Sequence, residues 1–327
     1  MNSAIVVLNW NDWRNTVDCL ESIYQNDGSF DVFLVDNGSN LQNILKILGW
    51  YRGQIISNRT FIKPGPKKCG EFVLMNHKNN IFDVKKNSRN LYILRNKDNL
   101  GLTAGLNLAY NFLIRNNYNQ ILRIDNDFII QKDYFKRISS TVKGKDIASA
   151  SPKIMHAYIK KSVWFKGFKM RWSYLKFQRT MNLKKKRYFD NENLRKVIDT
   201  DVISGCCSIY KTNVLKKSGL GDEDFFYGPE DIELSYRLKK YGRLICDQKI
   251  KTFHKIGRSS VLENRLDRTF QSTYGFLILI KKIGTFSDKL IGYSYFILRG
   301  FLYFLTENDR NKKKGYKKAL IKFFIKK

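Results

Sequence analysis

Ile121-Leu122-Arg123-Ile124-Asp125-Asn126-Asp127 decides how the rest of this 327-residue chain is read. An apolar run ends in two carboxylates two positions apart, with one small polar residue between them. Along an extended strand, positions i and i+2 point to the same side, so both carboxylates would converge at the strand end. Hard divalent cations take oxygen ligands and leave positions for phosphate oxygens. The stretch therefore predicts a strand over 120–127 and a metal–diphosphate site at its end. Asp-x-Asp is also a common turn and cap sequence, and the surrounding chain must decide between the two.

On the N-terminal side, Ala4 to Leu8 is uniformly apolar and predicts a buried strand. Asn11-Asp12 then offers a cap for a helix whose positions Trp13, Val17, Leu20, Ile23 and Tyr24 fall at helical spacing. Phe30 to Val35 predicts a second buried strand, ending in Asp36-Asn37-Gly38-Ser39. Strand–helix–strand at this spacing points to a parallel sheet, which binds ligands beyond the carboxyl ends of its strands. Asp36 stands where a nucleotide-contacting residue would stand, and the same residues also make an ordinary Asx turn. Residues 41–90 read as a helix over Leu41–Trp50 followed by a loop-rich insertion, with a short hairpin around Phe72–Met75. Leu91 to Leu94 returns to strand. Asn99-Leu100-Gly101-Leu102-Thr103-Ala104-Gly105-Leu106-Asn107 opens a helix running to about Asn116, with small residues that let backbone approach a phosphate or sugar.

Beyond the opening stretch, Asp201 to Tyr210 predicts a strand with a glycine kink, and Thr212 to Ser218 a short helix. Phe225 to Asp231 leads into a further helix with Pro229 in its first turn. Glu230 and Asp231 either complement that helix dipole or carry chemistry. His254 falls between an expected strand and Gly257-Arg258-Ser259-Ser260.

Composition narrows the partners. Sixty Lys and Arg against 29 Asp and Glu leave a net charge of +31, which calls for an anionic partner: nucleic acid, acidic lipid or a phosphorylated substrate. A hydrophobic fraction of 43% excludes a disordered chain, and 14% aromatics suit work at an interface. The five cysteines show no Cys-x-x-Cys spacing and read as core thiols, which argues against zinc. The N-terminus lacks the basic leader of a signal peptide, and no apolar run is long enough for a spanning helix. Residues 160–187 hold eleven Lys or Arg and no acid. Trp164, Phe165, Phe168, Trp172, Tyr174 and Phe177 are interleaved with them, so an interfacial or nucleic-acid role stands beside a merely solvated face. Residues 310–327 hold nine Lys or Arg and no acid. There Tyr316, Ala319, Leu320, Phe323 and Phe324 form the stripe of a basic amphipathic helix, suited to an anionic leaflet or to docking on its own domain. Leu290 to Leu305, apolar but for Arg299, reads as a packed or interfacial helix.

These pieces in this order resemble bacterial family 2 glycosyltransferases with the GT-A fold, in the branch that builds surface polysaccharides and includes many rhamnosyltransferases. The resemblance rests on Val7-Leu8-Asn9-Trp10-Asn11, Val35 to Ser39, Asn99-Leu100-Gly101, Asp125-Asn126-Asp127, Phe225 to Asp231 and His254 to Ser260. It covers roughly residues 1–260. It implies an α/β, Rossmann-like catalytic domain over 1–260, with a mainly parallel sheet flanked by helices. Within that domain 41–90 is insertion-like and 155–197 is a basic aromatic segment. A helical, basic, membrane-associating region over 261–327 follows. It also implies roles. Asn9, Asn11, Asp36, Asn99, Gly101, Gly105, Asn107 and Asp125 would line the donor site. Asp125, Asp127 and His254 would serve a divalent cation, Mg2+ or Mn2+. Asp231 would be the catalytic base, with Glu230 orienting it or binding acceptor. Ala104 and Leu106 depart from the residues common at their positions.

The implied activity is inverting transfer from a nucleotide-sugar, dTDP-rhamnose or a UDP-hexose, to a lipid-linked or oligosaccharide acceptor. It would take place at the cytoplasmic face of the cell membrane, in O-antigen, capsule or cell-wall synthesis. That chemistry needs a Lewis acid for the leaving diphosphate and a carboxylate base for the acceptor hydroxyl, and needs no covalent nucleophile. Two other readings remain: a non-catalytic carbohydrate- or lipid-binding relative, and a nucleic-acid-binding protein. The second lacks any zinc-finger spacing or RNP-like aromatic motif, and no nucleic-acid partner is expected.

Overall fold

The computed structural model describes residues 2–56, 70–75, 86–170, 188–191, 196–255 and 265–325. Its centre is a mixed sheet. Strand β1 (Ser3–Asn9) pairs in parallel with β2 (Asp31–Asp36), which pairs in parallel with β4 (Leu91–Arg95). On its other side β1 lies parallel to β5 (Gln120–Ile124). Beyond β5 the sheet continues through β11 (Cys207–Lys211), β7 (Ile147–His156), β12 (Arg243–His254) and β10 (Val197–Asp199). Strand β3 (Phe72–Met75) forms the opposite edge. It runs parallel to β4, and the described residues show no hairpin at this segment.

The uniform apolarity of β1 and β2 follows from burial on both faces. Successive side chains alternate across a strand. Ile5, Val7, Val32 and Leu34 therefore enter one apolar cluster, and Ala4, Val6, Leu8, Phe33 and Val35 the other. Helices α1 (Trp13–Tyr24), α2 (Leu41–Tyr51) and α4 (Tyr134–Thr141) cover the first face. Helices α3 (Leu102–Arg115), α5 (Thr212–Ser218) and α6 (Glu230–Leu238) cover the second. Asp12 caps α1 and Asn40 caps α2, as Asn and Asp do when a strand end turns into a helix.

Two expected strands are shorter than predicted. Strand β5 stops at Ile124, and Asp125 to Asp127 form a turn closed by Phe128 N–H donating to Asp125 O at 3.1 Å. The chain resumes as β6 (Phe128–Ile130), paired with the end of β12. Likewise 201–206 is a loop, and only Cys207 to Lys211 is strand. In the basic aromatic segment, β8 (Ser162–Phe165) pairs with β7 and with β9 (Tyr188–Phe189). Phe165 and Phe168 pack against core clusters. Trp172, Tyr174 and Phe177 lie outside the described residues, as do Gly257 to Ser260.

Three C-terminal helices follow: α7 (Arg265–Ile283), α8 (Phe286–Thr306) and α9 (Arg310–Phe324). A reciprocal capping box between Thr285 and Asp288 starts α8, and Asp309 caps α9. Ile278 and Leu279 of α7 share an apolar cluster with Phe225 and Ile232, so this region packs directly on the sheet domain. The tail's apolar stripe is used internally. Tyr316 and Ala319 are buried, and the Tyr316 hydroxyl donates to Phe296 O at 2.9 Å. No described helix is long and apolar enough to cross a membrane.

Candidate active site

The carboxyl ends of β1, β2 and β5 meet in a set of polar turns. Asn9 ends β1, and its Nδ2 donates to Asp36 Oδ1 (3.0 Å) and Ser39 Oγ (3.1 Å). Asn9 Oδ1 accepts from Thr16 Oγ1 (2.8 Å), which in turn accepts from Asn126 Nδ2 (3.0 Å). One chain of bonds thus joins the β2 turn to the middle residue of Asp125-Asn126-Asp127. Asp36 is wholly buried, and Arg95 Nε lies 3.4 Å from its Oδ2. Burial pushes its carboxyl above the usual range, against the pull of Ser39, Asn9 and Arg95. Asn11 holds the neighbouring turn: its N–H donates to Ser39 Oγ at 2.8 Å, and its Oδ1 accepts from Asn40 N–H at 3.0 Å.

The turn before α3 is organised by Asn37, which the sequence reading left unassigned. Asn37 Nδ2 donates to Asn99 Oδ1 and to Gly101 O, both at 2.9 Å, and its Oδ1 accepts from Asn96 Nδ2 at 2.8 Å. Gly101 has φ +84°, and a Cβ there would stand 2.6 Å from Phe226 Cδ2. Only glycine fits both the conformation and the space. Gly105 lies against Leu8 and Asn37. Asn107 points the other way, bonding Gly221 O and Glu223 Oε1, each at 2.8 Å. It fastens α3 to the loop before Phe225.

The acidic residues separate into two groups. Asp127 Oδ2 lies 3.1 Å from His254 Nε2, where the turn after β5 meets the end of β12. The imidazole stacks on Phe128 (centroids 4.5 Å apart) and receives the edge of Trp164 (4.9 Å). Its buried Nδ1 has no hydrogen-bond partner among the described residues. Beside it Lys255, fully buried, reaches Asp18 Oδ2 at 2.8 Å and Asn15 Oδ1 at 3.2 Å, which anchors the strand end to α1.

The second group is built on Arg123. The buried guanidinium donates through Nε to Asp125 Oδ1 (3.1 Å) and through Nη1 to Glu230 Oε1 (3.4 Å). Arg123 therefore faces the acidic turn. Burial alone would lower the Arg123 pKa, but Asp125 and Glu230 outweigh it and the group is held firmly charged. Burial also raises Asp125, and it pushes Glu230 up to about 7, with Arg123 opposing and Asp231 adding to the rise. Asp231 Oδ2 accepts from Gly205 N–H at 3.2 Å, while Asp125 N–H donates to Cys206 O at 2.8 Å. The loop before β11 thereby ties Asp231 and the acidic turn to adjacent residues.

The turn at Gly228-Pro229, which leads into Glu230 and Asp231 at the start of α6, rests on α7. A Cβ on Gly275 would lie 2.2 Å from Gly228 O and 2.9 Å from Pro229 Cδ, so the backbones touch there.

A divalent cation fits part of this set. No group of three His, Cys, Asp or Glu suited to a metal exists among the described residues. Asp125, engaged by Arg123, does not join Asp127 and His254. Those two present one carboxylate and one imidazole side by side. Such a pair suits a cation that takes few protein ligands and fills its other positions with substrate phosphates and water.

The chain matches no protein-family model and no curated protein. Solved structures are similar in fold. GalNAc-T7, solved with UDP, GalNAc and Mn2+, shares 12% identity at a TM-score of 0.57, over 98% of this chain and 54% of that one. S. aureus TarS shares 16% at 0.53, over 99% of this chain and 48% of that one. TarS 1-349 with UDP-GlcNAc shares 15% at 0.52, over 99% and 80%. The chain thus spans about half the length of the first two. These neighbours are GT-A-type glycosyltransferases, and the fold of this chain is GT-A.

Proposed function

We propose that the protein is an inverting glycosyltransferase that moves a sugar from a nucleotide-sugar to a hydroxyl of a lipid-linked or growing surface glycan. The observation that carries this reading is the meeting of Asp127–His254 and Arg123–Asp125–Glu230 at the carboxyl ends of the sheet, with Asp231 fastened alongside. The neighbours' UDP, UDP-GlcNAc and Mn2+ complexes support a nucleotide-sugar donor and a divalent cation. A UDP-hexose or dTDP-rhamnose fits the sequence resemblance, and so does work at the cytoplasmic face of an anionic membrane.

In this reading the turns held by Asn9, Asp36 and Asn37 form the floor under the nucleoside. Asn99 and Gly101 set the backbone next to the sugar diphosphate. Asp127 and His254 would hold Mg2+ or Mn2+, which when bound neutralises charge on the departing diphosphate. The acceptor hydroxyl attacks the anomeric carbon from the opposite face. A C–O bond forms, the bond to the diphosphate oxygen breaks, and Asp231 takes the hydroxyl proton. A base placed this way contributes roughly 10²–10⁴-fold. Arg123 keeps Glu230 beside Asp231 and holds Asp125 at the turn.

Binding to the folded state raises stability, so a thermal-shift series of nucleoside diphosphates and nucleotide-sugars with Mg2+ or Mn2+ tests the donor. The matching nucleotide-sugar is expected to raise Tm, and the intact protein to turn it over with acceptor while Asp231→Asn does not. Full transfer by Asp231→Asn would overturn the assignment of the base. A Tm rise without turnover across a broad acceptor panel would favour a binding protein.

A further inference from the structure

Helix α8 carries an apolar face that no part of the described protein covers. Phe286, Leu290, Leu298, Phe301, Phe304 and Leu305 are exposed, with Phe286 84% and Phe301 68% accessible. At 100° per residue, these positions fall within an arc of about 120°. Ser287 and Ser294 share that arc, and no charged residue does. The opposite side of α8, with Gly292 and Phe296, is buried against the other C-terminal helices. A face this long and this apolar marks an interaction surface.

The charges around it identify the occupant. Lys313 of α9 places its ammonium 5.4 Å from the centre of the Phe304 ring, at the edge of the face. Arg299 lies 5.9 Å from the Tyr295 ring, on the flank of α8. Lys314 and Lys317 are exposed along α9. Apolar side chains bordered by Lys and Arg are complementary to a bilayer interface with anionic headgroups, where rings and alkyl groups enter the acyl boundary and cations meet phosphates. A second copy would instead set +31 against +31.

We infer that the outer face of α8, bordered by cations of α8 and α9, seats the protein in the interfacial layer of an anionic membrane. Of the two uses read for the tail stripe, Tyr316 and Ala319 of α9 take the docked one, with Phe324 left exposed; the membrane contact is placed instead on α8, in the segment read as packed or interfacial. The inference rests on the reading that places the protein at a membrane, and it does not depend on the transfer chemistry. Its test is read without donor or acceptor, so its failure leaves that chemistry untouched.

The test is flotation of the full chain with vesicles of phosphatidylcholine, alone or with phosphatidylglycerol. Binding is expected to the anionic vesicles and to weaken with salt. Leu298→Ser/Phe301→Ser/Leu305→Ser changes exposed positions only and is expected to lower the vesicle partition coefficient roughly tenfold or more at unchanged Tm. Lys313→Gln/Lys317→Gln is expected to reduce it and to flatten the salt dependence. Equal flotation of the triple-serine variant and the parent would overturn the inference, as would absence of binding by the parent. Sedimentation of the parent as a dimer and of the triple-serine variant as a monomer would assign the face to a second copy instead.

Discussion

Asp127 and His254, separated by 127 positions in sequence, meet at 3.1 Å through one carboxylate oxygen and one ring nitrogen. The turn after β5 and the last residue of β12 come together because β6 pairs with the end of β12, with Phe128 opposite His254. If this pair anchors the donor diphosphate, Asp127→Ala and His254→Ala should each lower transfer by about 10²-fold or more. Each should also remove the cation-dependent part of the donor's thermal shift. Chelation of divalent ions should do the same to the parent. A donor-induced shift that survives all three would exclude the role.

Arg123 is the sole cation directly paired with both Asp125 and Glu230 among the described residues. Arg123→Met leaves buried Glu230 and half-buried Asp125 without their shared counter-charge and should cost about 3 kcal/mol, read by denaturant unfolding. Arg123→Lys keeps the charge and loses the fork that spans both partners, so it should recover only part of the loss. A variant as stable as the parent would show that the pairing contributes nothing.

Burial raises Glu230 from 4.5 to about 7. Its folded-state pKa therefore exceeds the unfolded one, and the folded protein holds a proton that the unfolded chain has released. The associated stability is fully present below about 4.5 and is lost as pH rises through about 7. Stability measured by urea unfolding should fall across that window by an amount on the order of 3 kcal/mol, and Glu230→Gln should flatten the slope. An unchanged slope in the variant would place the titration elsewhere.

Gly275→Ala is expected to push α7 away from Gly228 and Pro229, since the added methyl would collide with a backbone oxygen. Overpacking of this kind costs roughly 1–3 kcal/mol. The displaced turn leads directly into Glu230 and Asp231 at the start of α6, so turnover should fall more than donor binding. Measuring kcat beside the donor thermal shift separates the two, and an equal loss in both would argue against a loop-specific effect.

Much of the GT-A sheet is visible in the chain because β1, β2 and β4 are buried on both faces and their residues are almost all apolar. Strand β7 is not visible in that way. It contains Ser149, Ser151 and Lys153, all fully buried. Their polar atoms are satisfied from outside the strand: Ser149 by Ile209 O at 2.7 Å, Ser151 by Ser204 N at 2.9 Å and Lys153 by Asp190 at 2.6 Å. Hydropathy cannot register a polar group whose partner lies tens of residues away. The acidic motif was legible as residue types but not as geometry. An extended strand would have aimed Asp125 and Asp127 together, whereas the turn at Asp125 sends one to Arg123 and the other to His254. Asn37 was hidden for a related reason, since its four side-chain bonds go to Asn96, Asn99, Leu100 and Gly101 and leave no local periodicity.

The contact between Gly275 and Gly228 also fixes a length. Helix α7 joins the turn before Asp231 to α8, which carries the exposed apolar face, and at the contact there is no room for a single methyl group. On a bilayer, the height of the Asp231 carboxylate above the lipid would be set by packed helices and not by a pliable tether. The protein would then act as a gauge. An acceptor whose hydroxyl stands at the matching height meets the base, and one with an extra sugar ring overshoots it. A ladder of membrane-anchored acceptors of graded length would reveal this as a single preferred rung, and equal rates along the ladder would rule it out.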